Sequence, residues 1–293
     1  MPDGVIVKGV GGFYYVRDAE GCVTECKVRG LFRNLHVTPA VGDRVSFRLE
    51  NSSPAVITDI YTRKTLLTRP LVANASTGVI VCSLKQPEIS YLTIDKLIIS
   101  NKAAGIDTLL CLNKCDLYGP EEIDVFLDYY GSSGIPAVCV SAKSGQNIDA
   151  LRHLIDGRIS VFAGVSGSGK SSIIARLTGR EDIEIGGLSA KTRRGRHTTR
   201  HSELMAIGGD TYLMDTPGFS SYEPEGVVCE ELWRFYDDFY AYSDCRYSTC
   251  MHLNEPGCGV KKAVNEKKIN PKRYENYVHI CQTLKEQQKI KNK

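Results

Sequence analysis

The stretch GVSGSGKSS, Gly164 to Ser172, has the composition of a loop that holds phosphate. The spacing Gly164-x-x-x-x-Gly169-Lys170-Ser171 lets the backbone N–H groups of Gly164, Val165, Ser166, Gly167, Ser168 and Gly169 turn inward around phosphate oxygens. Lys170 is placed to reach the β- and γ-phosphates and to act in catalysis. The Ser171 hydroxyl is a candidate ligand for Mg²⁺, and Ser172 continues the phosphate contact. An apolar strand before the loop and a helix after it are expected, so the helix dipole would favour the anion. A second segment, DTPG from Asp215 to Gly218, follows the apolar run YLM. An acid at a strand end can hold Mg²⁺, directly or through water. The Gly218 amide can contact the γ-phosphate.

Two more loops address a base. NKCD runs from Asn113 through Lys114 and Cys115 to Asp116. A carboxylate accepts hydrogen bonds, and guanine offers N1–H and an amino group on one edge. Adenine has no matching pair, so Asp116 favours GTP over ATP. Asn113 and Lys114 would brace the loop and the ring. SAK, Ser141 to Lys143, would set the Ala142 N–H near the guanine O6. The loops stand in an unusual order, with NKCD and SAK before the phosphate loop and DTPG last. Ligands of a parallel sheet bind beyond the strands' carboxyl ends, so a chain cut elsewhere and rejoined keeps such a site.

Where a Ras-like enzyme has a water-orienting glutamine after DxxG, this chain has Phe219. Another residue, or a partner, must orient the water. RGRHTTR, Arg194 to Arg200, reads as the first switch, with Thr199 slightly preferred over Thr198 as a second Mg²⁺ ligand. His197 beside it is a candidate to orient the water, or else a phosphate or RNA contact. Further on, Cys245-x₄-Cys250-x-His252-x₅-Cys258 supplies three thiolates and an imidazole. That is a closed tetrahedral set for one structural Zn²⁺, with a disulfide and a leftover cysteine as the rival reading.

The elements that must carry these loops follow from pattern. Residues 1–64 read as four or five short alternating strands, a small β-barrel of OB type or, as the rival, of SH3 type. Residues 65–222 alternate strand and helix, which predicts a mostly parallel α/β sheet. Residues 223–293 read as helical around the cysteine cluster, with VVCEELWRFYDDFYAY and NPKRYENYVHICQTLKEQQKIKN as its helices.

The 293 residues have room for two or three small domains; 42% are hydrophobic and 24% charged, ordinary for a soluble chain. No apolar run approaches the roughly 18 residues of a membrane span, and no secretion signal is read at the N-terminus. A cytoplasmic chain with no membrane partner is expected. Of the 11 cysteines, Cys82, Cys111 and Cys139 read as small buried residues, and only the Cys245–Cys258 group reads as a site. The formal charge is +3, but Lys261–Lys293 carries ten Lys and Arg against three Asp and Glu. KTRRGRH is a second basic cluster. Tyr274 and Tyr277 on the basic tail could lie along RNA.

On these loops, their order and the cysteine cluster, nearly the whole chain resembles the RsgA (YjeQ) family of circularly permuted GTPases. The resemblance implies an N-terminal OB-fold, GTP hydrolysis to GDP and phosphate stimulated by the 30S subunit, contact with 16S rRNA, and a role in late subunit maturation. It also implies His197 as the water-orienting residue. Ser168 stands where the family often has valine, which the backbone-mediated binding tolerates. No DNA partner is implied, and a monomer is expected. Two other readings are an ATP-dependent kinase and a zinc-containing RNA-binding module with an inert phosphate loop.

Overall fold

The computed structural model describes residues 1–28, 38–50, 54–180, 203–216, 224 and 226–291. The N-terminal strands β1 (Asp3–Val10), β2 (Phe13–Asp18), β3 (Val23–Val28), β4 (Arg44–Arg48) and β5 (Ala55–Ile60) close into a barrel in the order β1-β2-β3-β5-β4. Their inward residues, Ile6, Val16, Cys26, Val45, Phe47 and Ile57, form its core. Alternation is what lets one face be apolar and the other wet. Only β3 and β5 pair in parallel. A hairpin of β6 (Leu66–Thr68) and β7 (Leu71–Ala73) leads out of the barrel.

The central sheet takes β8 (Thr77–Cys82), β9 (Asp107–Leu112), β10 (Ala137–Cys139), β11 (Ile159–Ala163), β12 (Met205–Gly208) and β13 (Thr211–Asp215) in the order β10-β9-β8-β11-β13-β12. All neighbours run parallel except the edge strand β12. Every residue of β8 and of β11 is buried. A strand covered on both faces reads as a continuous apolar run rather than an alternating one. The covering helices are α1 (Tyr91–Ala103), α2 (Pro120–Gly131), α3 (Ile148–Leu154) and α4 (Lys170–Thr178). Helix α1 starts at Ser90, whose hydroxyl accepts the Thr93 N–H at 3.3 Å. Proline at the first position of α2 lacks the N–H that would have no helical partner there, and its fixed φ suits the first turn.

The register of this sheet explains the permuted order. Cys82, Leu112 and Cys139 stand in line, and Ala163 and Asp215 end the next two strands. The loops after β8, β9, β10, β11 and β13 therefore leave from one rim. A cut elsewhere in the chain does not disturb that rim.

The C-terminal unit differs from its sequence reading in detail. The stretch expected as one helix over VVCEELWRFYDDFYAY is a 3-10 segment, Cys229–Phe235, followed by the one-turn α5 (Asp237–Tyr240). Its buried residues Cys229, Leu232, Tyr236 and Phe239 recur at about every third position. The expected single helix is broken at Tyr236, whose extended backbone (φ −110°, ψ 95°) separates the two pieces. Two helices follow, α6 (Gly259–Asn265) and α7 (Pro271–Lys291). The barrel shares a core with the sheet: Val5, Val7, Val41 and Val72 pack with Ile159, Val161, Tyr212 and Met214. The Leu204 N–H also donates to the Val7 carbonyl at 2.8 Å.

Candidate nucleotide and metal sites

Between β11 and α4 the chain must turn tightly, and two glycines make the turn possible. Gly164 has φ +155°, and a Cβ there would lie 2.2 Å from the Val81 carbonyl oxygen. Gly169 has φ +88°, and a Cβ there would meet the Asn113 amide nitrogen at 2.1 Å. Any side chain at either position would displace the neighbouring strand or loop. Helix α4 then begins at Lys170 with no side-chain cap, so its first amides stay open to an anion.

The loops that the sequence separates by up to a hundred residues meet here. The Asn113 side-chain NH₂ donates to the Ser168 carbonyl at 2.9 Å, and its oxygen accepts the Ala142 N–H at 3.1 Å. One buried amide thus ties NKCD, SAK and the phosphate loop together. Lys114 Nζ donates to the Gly167 carbonyl at 2.9 Å and to the Gln86 carbonyl. Lys170 Nζ pairs with Asp215, and Lys170 is 8% exposed. Thr216 fixes the end of β13 by donating its hydroxyl to the Phe162 carbonyl at 2.6 Å. Asn113, Asp116, Ala142, Lys143, Ser172 and Arg176 line a cleft of about 780 Å³ beside the loop. That is enough for a purine nucleoside.

The Ala142 N–H, expected at the guanine O6, is instead donated to Asn113. Sequence reasoning missed Arg176, which lies in no motif and yet touches the SAK loop. Asp215 meets the Lys170 ammonium and Ser171 follows Lys170 directly in the chain, a carboxylate and a hydroxyl suited to Mg²⁺. His197, Thr198 and Thr199 fall in 181–202, and Gly218 and Phe219 in 217–223, outside the described residues.

The Cys/His cluster is brought together as its spacing predicted. The Sγ atoms of Cys245, Cys250 and Cys258 lie 3.5, 3.6 and 3.4 Å from His252 Nδ1, and those of Cys245 and Cys258 are 3.9 Å apart. A regular tetrahedron with zinc–sulfur bonds of about 2.3 Å and a zinc–nitrogen bond of about 2.05 Å requires S···N of about 3.6 Å and S···S of about 3.8 Å. The donor set therefore fits zinc in both chemistry and size. Backbone amides of His252, Gly259 and Lys261 each donate to a cluster sulfur at 3.4 Å, which favours thiolates. Without a cation, burial pushes the Cys250 thiol up to about 12, so the metal must displace its proton. Burial also depresses the His252 pKa, keeping the imidazole neutral as a ligand must be.

Tyr274 and Tyr277, expected as RNA contacts, point inward. Their hydroxyls donate to the carbonyls of His252 and Met251, and Tyr277 is fully buried. Both lie on the face of α7 that packs on the metal loop, whereas Lys272 and Lys289 of the same helix are exposed. Cys229 and Cys281, 52 residues apart, are joined with Cα atoms 4.9 Å apart. No spacing argument links them. Cys82 and Cys111 are buried free thiols, as expected, whereas Cys139, expected to be buried with them, is only partly so because it ends the edge strand β10.

Comparison with known proteins agrees with this geometry. The family model for the RsgA GTPase matches residues 60–225, and that for the RsgA N-terminal domain matches residues 3–57. A protein of Clostridium novyi, named small ribosomal subunit biogenesis GTPase RsgA, is 43% identical over 283 residues, covering 96% of this chain and 97% of its own. One of the same name from Clostridium beijerinckii is 40% identical, covering 99% of both. The crystal structure of YjeQ from Thermotoga maritima superposes with a TM-score of 0.83 at 34% identity, over 97% of this chain and 98% of that one. YloQ, described as a circularly permuted GTPase, gives 0.82 at 31% identity, over 98% and 96%. With the permuted loops gathered on one rim and these likenesses spanning it from end to end, the chain belongs to the RsgA GTPase family.

Proposed function

We propose that this chain hydrolyses GTP to GDP and phosphate while bound to the small (30S) ribosomal subunit, and that it assists the late maturation of that particle. The observation that carries this reading is the meeting of Asn113 with Ser168 and Ala142, which joins a guanine-reading loop to a phosphate loop in permuted order. Asp116 accepts the guanine N1–H and amino group. Lys170 and the amides between Gly164 and Ser172 hold the phosphates, except that of Ser168, which donates to the Val165 carbonyl at 3.2 Å. Ser171 and Asp215 are the ligands of Mg²⁺, with Thr199 from the first switch, and the ion neutralises charge on the transferring phosphate when bound. His197 orients the water that Phe219 cannot. Gly218 meets the γ-phosphate. Cys245, Cys250, His252 and Cys258 hold one structural Zn²⁺.

The reading divides the chain into a barrel over 1–64, a GTPase unit over 65–222 and a zinc unit over 223–293. The barrel and the lysines of α7 contact 16S rRNA. The protein works in the cytoplasm as a monomer; among the described residues no helix is long and apolar enough to cross a membrane. The test is GTP turnover with and without 30S subunits, with ATP as competitor. Stimulation by at least an order of magnitude, undiminished by equimolar ATP, is the expected result. Equal turnover of ATP and GTP, or no response to the subunit, would exclude it.

A further inference from the structure

We propose that Arg176, one turn and a half into α4, is a positioning residue for guanine readout. Its Nε donates to the Ala142 carbonyl at 2.8 Å and its terminal nitrogen to the Lys143 carbonyl at 2.9 Å. The planar guanidinium therefore clamps two successive carbonyls of the SAK loop from one side. In a trans peptide the C=O of one residue and the N–H of the next point in opposite directions. Holding the Ala142 carbonyl toward Arg176 thus turns the Lys143 N–H away from it. The preceding amide is spoken for, because the Ala142 N–H is donated to Asn113. The Ser144 N–H is likewise donated, to the Ser141 hydroxyl at 3.2 Å. Of the three consecutive amides, only that of Lys143 has no protein partner among the described residues, and Lys143 lines the cleft with Asp116. It is the donor left for the guanine O6, and Arg176 sets its direction.

The same helix starts at the phosphate loop. Lys170 and Arg176 thus stand on one rigid rod, one at the phosphate loop and the other against the carbonyls of the base-reading loop. The distance between the two halves of the nucleotide site is fixed by 1.5 turns or so of helix rather than by loop conformation.

The inference rests on guanine occupying this cleft, so the experiment separates the two ideas. Binding of GDP, ADP, IDP and 6-thio-GDP is measured by calorimetry on the full chain, for the parent and for Arg176→Ala and Arg176→Lys. IDP lacks the 2-amino group that Asp116 reads. 6-Thio-GDP keeps that edge and replaces O6 by sulfur, a weak acceptor. The parent is expected to prefer GDP over each of the other three. Arg176→Ala is expected to lose roughly three- to tenfold of the preference over 6-thio-GDP while keeping its preference over IDP. Arg176→Lys, with one donor direction instead of a fork, falls between the two. A parent that binds ADP as well as GDP overturns the guanine assignment itself. A parent that prefers GDP over ADP yet ignores the sulfur, an Ala variant that keeps both preferences, or one that weakens all four ligands equally overturns the role of Arg176 alone. A poorly folded Ala variant leaves the Lys variant to decide, since an unchanged 6-thio-GDP preference there also counts against the proposal.

Discussion

Ser168 is fully buried, and its hydroxyl has no hydrogen-bond partner among the described residues. Its carbonyl does the useful work, accepting from Asn113. An unpaired buried hydroxyl costs about 1 kcal/mol or more. Ser168→Ala is therefore expected to stabilise the chain by about 1 kcal/mol in denaturant unfolding, with nucleotide affinity unchanged. At this scale the sequence was most informative. The glycines, Lys170, Asn113 and Asp116 are each the residue type that one chemical task demands, so spacing alone exposes them. Arg176 escaped because an arginine on a helix surface has many uses. Its partners are backbone carbonyls, which leave no trace in composition.

Among the elements, the metal loop shows where pattern reading stops. Its four donors were legible because zinc accepts few side chains in few spacings. The packing around them was not. Tyr274 and Tyr277 were read with the basic tail, but on α7 they face the loop and brace its carbonyls. Helical phase relative to a partner depends on the tertiary contact, not on the local residues. Tyr274→Phe should remove one hydrogen bond to the loop and cost about 1 kcal/mol in thermal unfolding, with zinc content still near one per chain by elemental analysis. The single tryptophan, Trp233, has its ring centre 5.5 Å from that of His252. Removing the metal with a chelator is expected to change its fluorescence before the central sheet unfolds, and an unchanged emission spectrum with metal gone would contradict the structural role.

For the whole molecule, one buried cluster decides how the zinc unit is held. Arg273 is 1% exposed; it donates to Asp95 of α1 at 2.6 Å and to Asp238 of α5 at 2.8 Å. Asn276 adds a bond to Asp95 at 2.8 Å. Removing one partner of a buried ion pair strands the others, so Arg273→Ala should lose about 3–5 kcal/mol of stability. Burial outweighs the attraction of Arg273 and raises Asp95 to about 6. A carboxyl whose folded pKa lies above its unfolded value, 3.8 here, binds its proton more tightly when folded. Its contribution is fully present below pH 4 and is lost as pH rises through 6. The stability difference between the parent and Asp95→Asn is thus expected to move against the parent between pH 4 and 6.5, as read by urea midpoints at several pH values.

None of this cluster was legible in the sequence, since Asp95 and Arg273 stand 178 residues apart and each reads alone as a surface charge. The barrel, the parallel sheet and the loop order were legible, because strand alternation and motif position are local. The joint between barrel and sheet was not. Val5, Val7 and Val72 share one apolar layer with Val161 and Met214, and β1 is stitched to Leu204. The two surfaces are consequently set like the jaws of a caliper. Turning the barrel against the sheet would first have to open that shared layer to water.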